Sequence, residues 1–101
     1  MSLREVSERH DALLRQLNEE RAAALTRISR TLESIIEQLR AIRVRAGAES
    51  TGVSSAEADE YERLRARATQ YRWYLEVQRE ALGLRQHGFL DRFYQVPGPL
   101  A

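Results

Sequence analysis

Apolar residues in the first half of the chain recur at spacings of three and four. Leu3, Val6, Leu13 and Leu17 form one run, with His10 at the position between Val6 and Leu13. After Ala22, Ala23 and Ala24 the stripe resumes at Leu25, Ile28, Leu32, Ile35, Leu39 and Ile42. Such spacing puts these residues on one face of an α-helix. The two runs are offset by about one residue from a strict heptad, a stutter that relaxes a supercoil locally. Neither glycine nor proline interrupts Leu3 to Ala46, so the pattern predicts one helix over about 3–46. Ser2 and Glu5 have the spacing of a capping box at its start. Gly47 is expected to end it, because glycine takes the left-handed C′ conformation at little cost.

Residues 47–54 read as a loop. Ser54 and Glu57 form a second capping box, which opens a second helix near residue 55. Its stripe runs through Tyr61, Ala68, Leu75, Leu82, Phe89 and Val96, and the series passes across Gly83 and Gly88 without losing register. The pattern therefore predicts a helix over about 55–94, kinked at 83–88, where two glycines each cost roughly 1 kcal/mol. Val96 precedes Pro97 and is pushed out of helical geometry. Residues 95–101 are then a flexible tail, in which Val96 and Leu100 are the natural anchors if it docks as a strap. A length match supports the longer second helix, because helix one spans about 66 Å at 1.5 Å per residue. A partner ending near Arg85 leaves the first third of helix one uncovered.

The expected fold is all-α: an antiparallel two-helix hairpin in a single domain. Pairing Ala46 with Ala56 sets residue i opposite roughly residue 102 − i. The apolar surface is wider than one seam, since Leu14, Ile36 and Val44 flank the first stripe and Trp73, Tyr74, Val77, Ala81 and Leu84 flank the second. A wide exposed apolar surface marks an interface. Two hairpins dimerising into a four-helix bundle satisfy it economically. Trp73, Tyr74, Val77, Leu84 and Ile36 are the candidate partner-interface residues.

Composition narrows the chemistry. With no cysteine among 101 residues, disulfides, thiolate metal sites and cysteine nucleophiles are excluded. The N-terminal stretch lacks the apolar segment of a signal peptide, and no apolar run is long enough to span a membrane, so a cytoplasmic protein without membrane contact is expected. A formal net charge of +1 argues against a dedicated nucleic-acid binder. All 16 basic residues are nevertheless arginines. The hairpin gathers Arg40, Arg43, Arg45, Arg63, Arg65 and Arg67 at its loop end, an alternative phosphate-contacting cluster. Glu57, Asp59, Glu60 and Glu62 in the same region offer these cations ion-pair partners.

No phosphate loop, nucleophile elbow or paired buried carboxylates can be found, so no enzymatic activity and no cofactor are expected. A second alternative is a ligand- or metal-holding bundle, with His10, His87 and Asp91 brought to one end by the continuous second helix. The ferritin-like Glu-x-x-His arrangement is missing from it. The leading expectation is a non-enzymatic interaction or scaffold module, working as a homodimer with a further protein partner.

Overall fold

The computed structural model describes residues 1–49 and 52–100. Three helices follow in order: α1 (Leu3–Ala48), α2 (Ser55–Ala81) and α3 (Gly88–Phe93). The first two pack antiparallel as the expected hairpin, and the molecule measures 74 × 23 × 16 Å. Both capping serines act as expected. Ser2 Oγ accepts from the Glu5 amide at 3.1 Å and Ser54 Oγ from the Glu57 amide at 3.2 Å, each satisfying an orphan donor. The helices meet on the expected register, with Arg21 against Ala81 and Arg45 against Glu57.

The core is the seam of this hairpin. Leu32, Ile35, Leu39 and Ile42 of α1 meet Tyr61, Leu64, Ala68 and Leu75 of α2. Leu25, Ile28 and Tyr71 extend it, partly buried. Fully burying side chains of this kind stabilises by about 1.5–3 kcal/mol each relative to leaving them in water.

Gly47 does not end α1. It lies inside the helix, which runs on to Ala48, and Glu49 caps it through its amide to the Arg45 carbonyl at 3.1 Å. Gly52 takes the left-handed conformation instead, at φ 78°. Of the expected loop, Ser50 and Thr51 lie outside the described residues, as does Ala101 of the tail.

The second helix does not continue to residue 94. It stops at Ala81, where Gly83 adopts φ 85°. The Gly83 amide donates to the Glu80 carbonyl and the Leu84 amide to the Arg79 carbonyl, both at 2.9 Å. Those two bonds form a Schellman motif, which satisfies the last carbonyls and turns the chain. The apolar series through Gly83 is therefore a coincidence of sequence. Within that series Leu82 is half-buried and Phe89 is exposed, while Leu90, outside the series, is buried.

Behind the turn the chain folds back. Arg79 Nη2 donates to the Gln86 carbonyl at 2.9 Å, and His87 Nε2 lies 3.1 Å from Glu80 Oε1. α3 then sets Leu90 into the core, and Arg72 pairs with Asp91. From Tyr94 the tail runs antiparallel to α2, back toward the loop end. Arg65 Nε reaches the Pro97 carbonyl at 2.9 Å, and the Tyr61 hydroxyl donates to the Gly98 carbonyl at 2.5 Å. Arg43 Nη1 donates to the Gly98 and Pro99 carbonyls at 3.0 and 3.1 Å. Val96 and Leu100 pack against the core cluster. The tail is thus a strap along the hairpin rather than the flexible segment expected, held by its carbonyls and by Val96 and Leu100.

Candidate interaction surfaces

Because α2 stops at Ala81, α1 outruns its partner. Arg21 Nη1 donates to the Ala81 carbonyl at 3.2 Å, closing the end of the hairpin. Everything before Arg21 projects as a single helical arm. Its apolar stripe stands in water, with Leu3 90% and Leu13 66% exposed and Val6, Leu14 and Leu17 also open. Ser2 and an exposed Arg4–Glu8 pair at 3.2 Å support the arm locally. A groove runs over its surface, lined by Leu13, Gln16, Leu17 and Glu20.

A second apolar surface lies on α2 and behind its turn. Trp73 is 59% exposed, and Tyr74, Val77 and Leu84 are open as well. Trp73 packs on Tyr74 with ring centroids 5.6 Å apart, and Tyr74 meets Tyr71 edge-on at 5.5 Å. Tyr71 also carries the Arg67 guanidinium over its ring at 5.5 Å. Trp73 further borders a shallow cleft with Thr69, Arg72, Glu76, Gln95 and Val96, so the strap forms one of its walls. Four of the candidate interface residues are accordingly exposed. The fifth, Ile36, is not: it is 3% exposed and sits beside Phe93 and Tyr94. The chain's own α3 end covers the position expected to face a partner.

Sequence reasoning set Phe89 in the seam of the second helix and missed Phe93; both are surface residues. These rings stack at 4.6 Å, both remain exposed, and Arg79 lies over Phe89 at 5.8 Å. The signal was present in the order Arg79, then Gly83, which is a cation in the last turn followed by a C′ glycine. Ending the helix there would have separated Phe89 from the α2 seam.

The loop-end arginines are largely engaged within the chain. Arg43 and Arg65 hold the strap, Arg65 also pairs with Glu62, Arg63 pairs with Glu60, and Arg45 lies 3.8 Å from Glu57. Arg67 sits over Tyr71, and Arg40 borders the recess around Ile36 and Tyr94. Tyr94 donates to Glu33 Oε1 at 3.1 Å in this recess. Burial pushes its phenol above the ordinary value, and the Glu33 carboxylate adds to the shift, against a lowering by the Ser29 hydrogen bond.

The residues of the metal alternative do not form one cluster among the described residues. His10 is exposed on the projecting arm, His87 bonds Glu80 in the turn, and Asp91 pairs with Arg72. Among the described residues no three metal-ligating side chains converge. No helix among them is long and apolar enough to cross a membrane. Comparison with family models, curated proteins and solved structures gives no match to this chain.

Proposed function

We propose that this chain is a non-enzymatic interaction module, a helical scaffold that works as a homodimer and offers a further helix surface to another protein. The observation that carries the reading is the arm. An apolar stripe that is core between α1 and α2 continues past Arg21 with none of the described residues over it. Exposed apolar surface of that extent marks an interface. α3 and the strap already cover one side of the hairpin, so pairing of two hairpins has only the arm and the remaining faces to use. Trp73, Tyr74, Val77 and Leu84 are the residues for the further protein partner.

Molar mass by light scattering over a dilution series is the test. A mass approaching twice 11.7 kDa with rising concentration supports the homodimer. A monomer from low micromolar to near-millimolar concentration overturns it. Engagement of Arg43, Arg45, Arg63 and Arg65 within the chain weighs against the nucleic-acid alternative. Retention of RNA or DNA in a filter-binding titration at low salt would reverse that judgement.

A further inference from the structure

The geometry points to a specific mode for this self-association: the projecting arms of two copies pair antiparallel, about a two-fold axis between Asp11 and Ala12. This mode rests on the homodimer reading above and specifies its surface. The first support is the shape of the arm. Leu13, Gln16, Leu17 and Glu20 line one groove, and they stand at i, i+3, i+4 and i+7. Four residues so spaced are the hole that receives one side chain of a facing helix in knobs-into-holes packing. A facing helix with apolar residues at spacings of three and four fits such a hole.

Continuity supplies the second support. Leu17 and Leu14 lie one and two turns before Arg21 on the side of α1 that faces α2, since Arg21 bonds the carbonyl of Ala81. The arm's stripe is thus the intrachain interface prolonged, and that interface is already antiparallel. The natural occupant prolongs α2 along the same groove. Nothing in the described chain does so, because α2 turns away at Gly83.

A second copy meets the requirement with the arm itself. With the axis between Asp11 and Ala12, Val6 of the partner subunit comes level with Leu17 and enters the hole at Leu13, Gln16, Leu17 and Glu20. Leu13 of the partner subunit faces His10, and symmetry repeats both layers. Leu3 of the partner subunit comes level with Glu20, one residue short of Arg21. The two arms therefore overlap along the length that α2 leaves open, and Ser2 of the partner subunit comes level with Arg21, at the end of α2. A contact of this size falls below about 1,200 Å² in total, which is the range of weak and reversible association.

The test compares the full chain with Leu13→Glu and, as a control, Val44→Glu. Val44 is exposed at the other end of α1. Both substitutions fall at exposed positions, and circular dichroism checks that helicity is kept. The expected result is concentration-dependent dimerisation of the parent chain, unchanged in V44E and weakened at least tenfold in L13E, where a carboxylate replaces the apolar wall of the hole that receives Val6 of the partner subunit. Dimerisation of L13E equal to that of the parent overturns the arm pairing while leaving the homodimer standing. A parent chain that stays monomeric overturns both.

Orientation has its own readout, since the chain has no native cysteine. Nitroxide labels at Arg4→Cys are expected roughly 20–25 Å apart, from the 1.5 Å rise per residue. Labels at Asp11→Cys are expected near the separation of two packed helices, roughly 10 Å. Short distances at both positions mean parallel pairing and overturn the proposed axis.

Discussion

The two halves of α1 carry the same pattern and meet different fates. Between Leu25 and Ile42 the stripe is core: Leu32 and Leu39 are completely buried. Between Leu3 and Leu17 equivalent residues, at equivalent spacing, stand in water. Apart from His10 in the first run, the residues themselves do not separate the halves. The difference lies sixty residues away, in the left-handed turn at Gly83 that ends α2. An amphipathic stripe is a demand for a partner, and whether the demand is met depends on where the partner stops.

The sharpest way to break this comparison is to truncate one side chain in each half. Leu39→Ala should lower unfolding stability by about 2–5 kcal/mol, from lost burial and the cavity left behind. Leu13→Ala, measured by urea titration at a dilution where the chain is monomeric, should stay within about 0.5 kcal/mol of the parent. Equal costs would mean that the arm is packed in solution.

Gly83 is the next lever. An alanine there must hold a positive φ, which costs about 1–2 kcal/mol. Gly83→Ala should lose about that much stability and loosen α3, seen as weaker fluorescence anisotropy of a label on α3. A gain in stability would mean that α2 runs on through residue 83, and the comparison of the two halves would collapse.

The two capping serines test the same contrast on a smaller scale. Ser54→Ala removes a cap from a helix whose unfolding is global, and should cost about 1 kcal/mol. Ser2→Ala removes the equivalent bond from the tip of the arm. It should fray the first turns, with faster amide exchange there, and leave the global midpoint unchanged.

The smallest effect concerns α3 and the strap at alkaline pH. The Tyr94 phenol is held above its ordinary value mainly by burial, so folding favours its neutral form. Its contribution is fully present below the unfolded-state value near pH 10 and is lost as pH rises through the raised value. Phenolate absorbance should show a late-titrating component, and Tyr94→Phe should diminish it. An unchanged titration curve would place Tyr94 in solvent.

Much of the hairpin was legible in the sequence. Spacings of three and four named α1 and the first part of α2, the serine caps set both starts, and small residues at the loop set a register that Arg21 and Ala81 obey. Three features were not legible. Gly47 looked like a stop but sits within α1, because a glycine in a helix costs only about 1 kcal/mol and Gly52 could take the left-handed position instead. The series through Phe89 looked like a seam, yet a heptad count says nothing of the backbone angle at Gly83. Ile36 looked like outer surface because the reversal that brings Tyr94 onto it was not in view.

By itself the sequence determined which residues seek burial, where helices begin, and that no thiol chemistry is available. Those properties are local: periodicity, capping and residue type act within a few turns of chain. Only the tertiary structure decided which apolar face is covered. It turned the chain at Gly83 and laid Leu90, Val96 and Leu100 against the hairpin. Arg43 and Arg65 went to the carbonyls of the strap, and the first turns of α1 were left uncovered by the other described residues. Covering a face requires residues distant in sequence to arrive together, and a single backbone angle at the turn redirects everything after it.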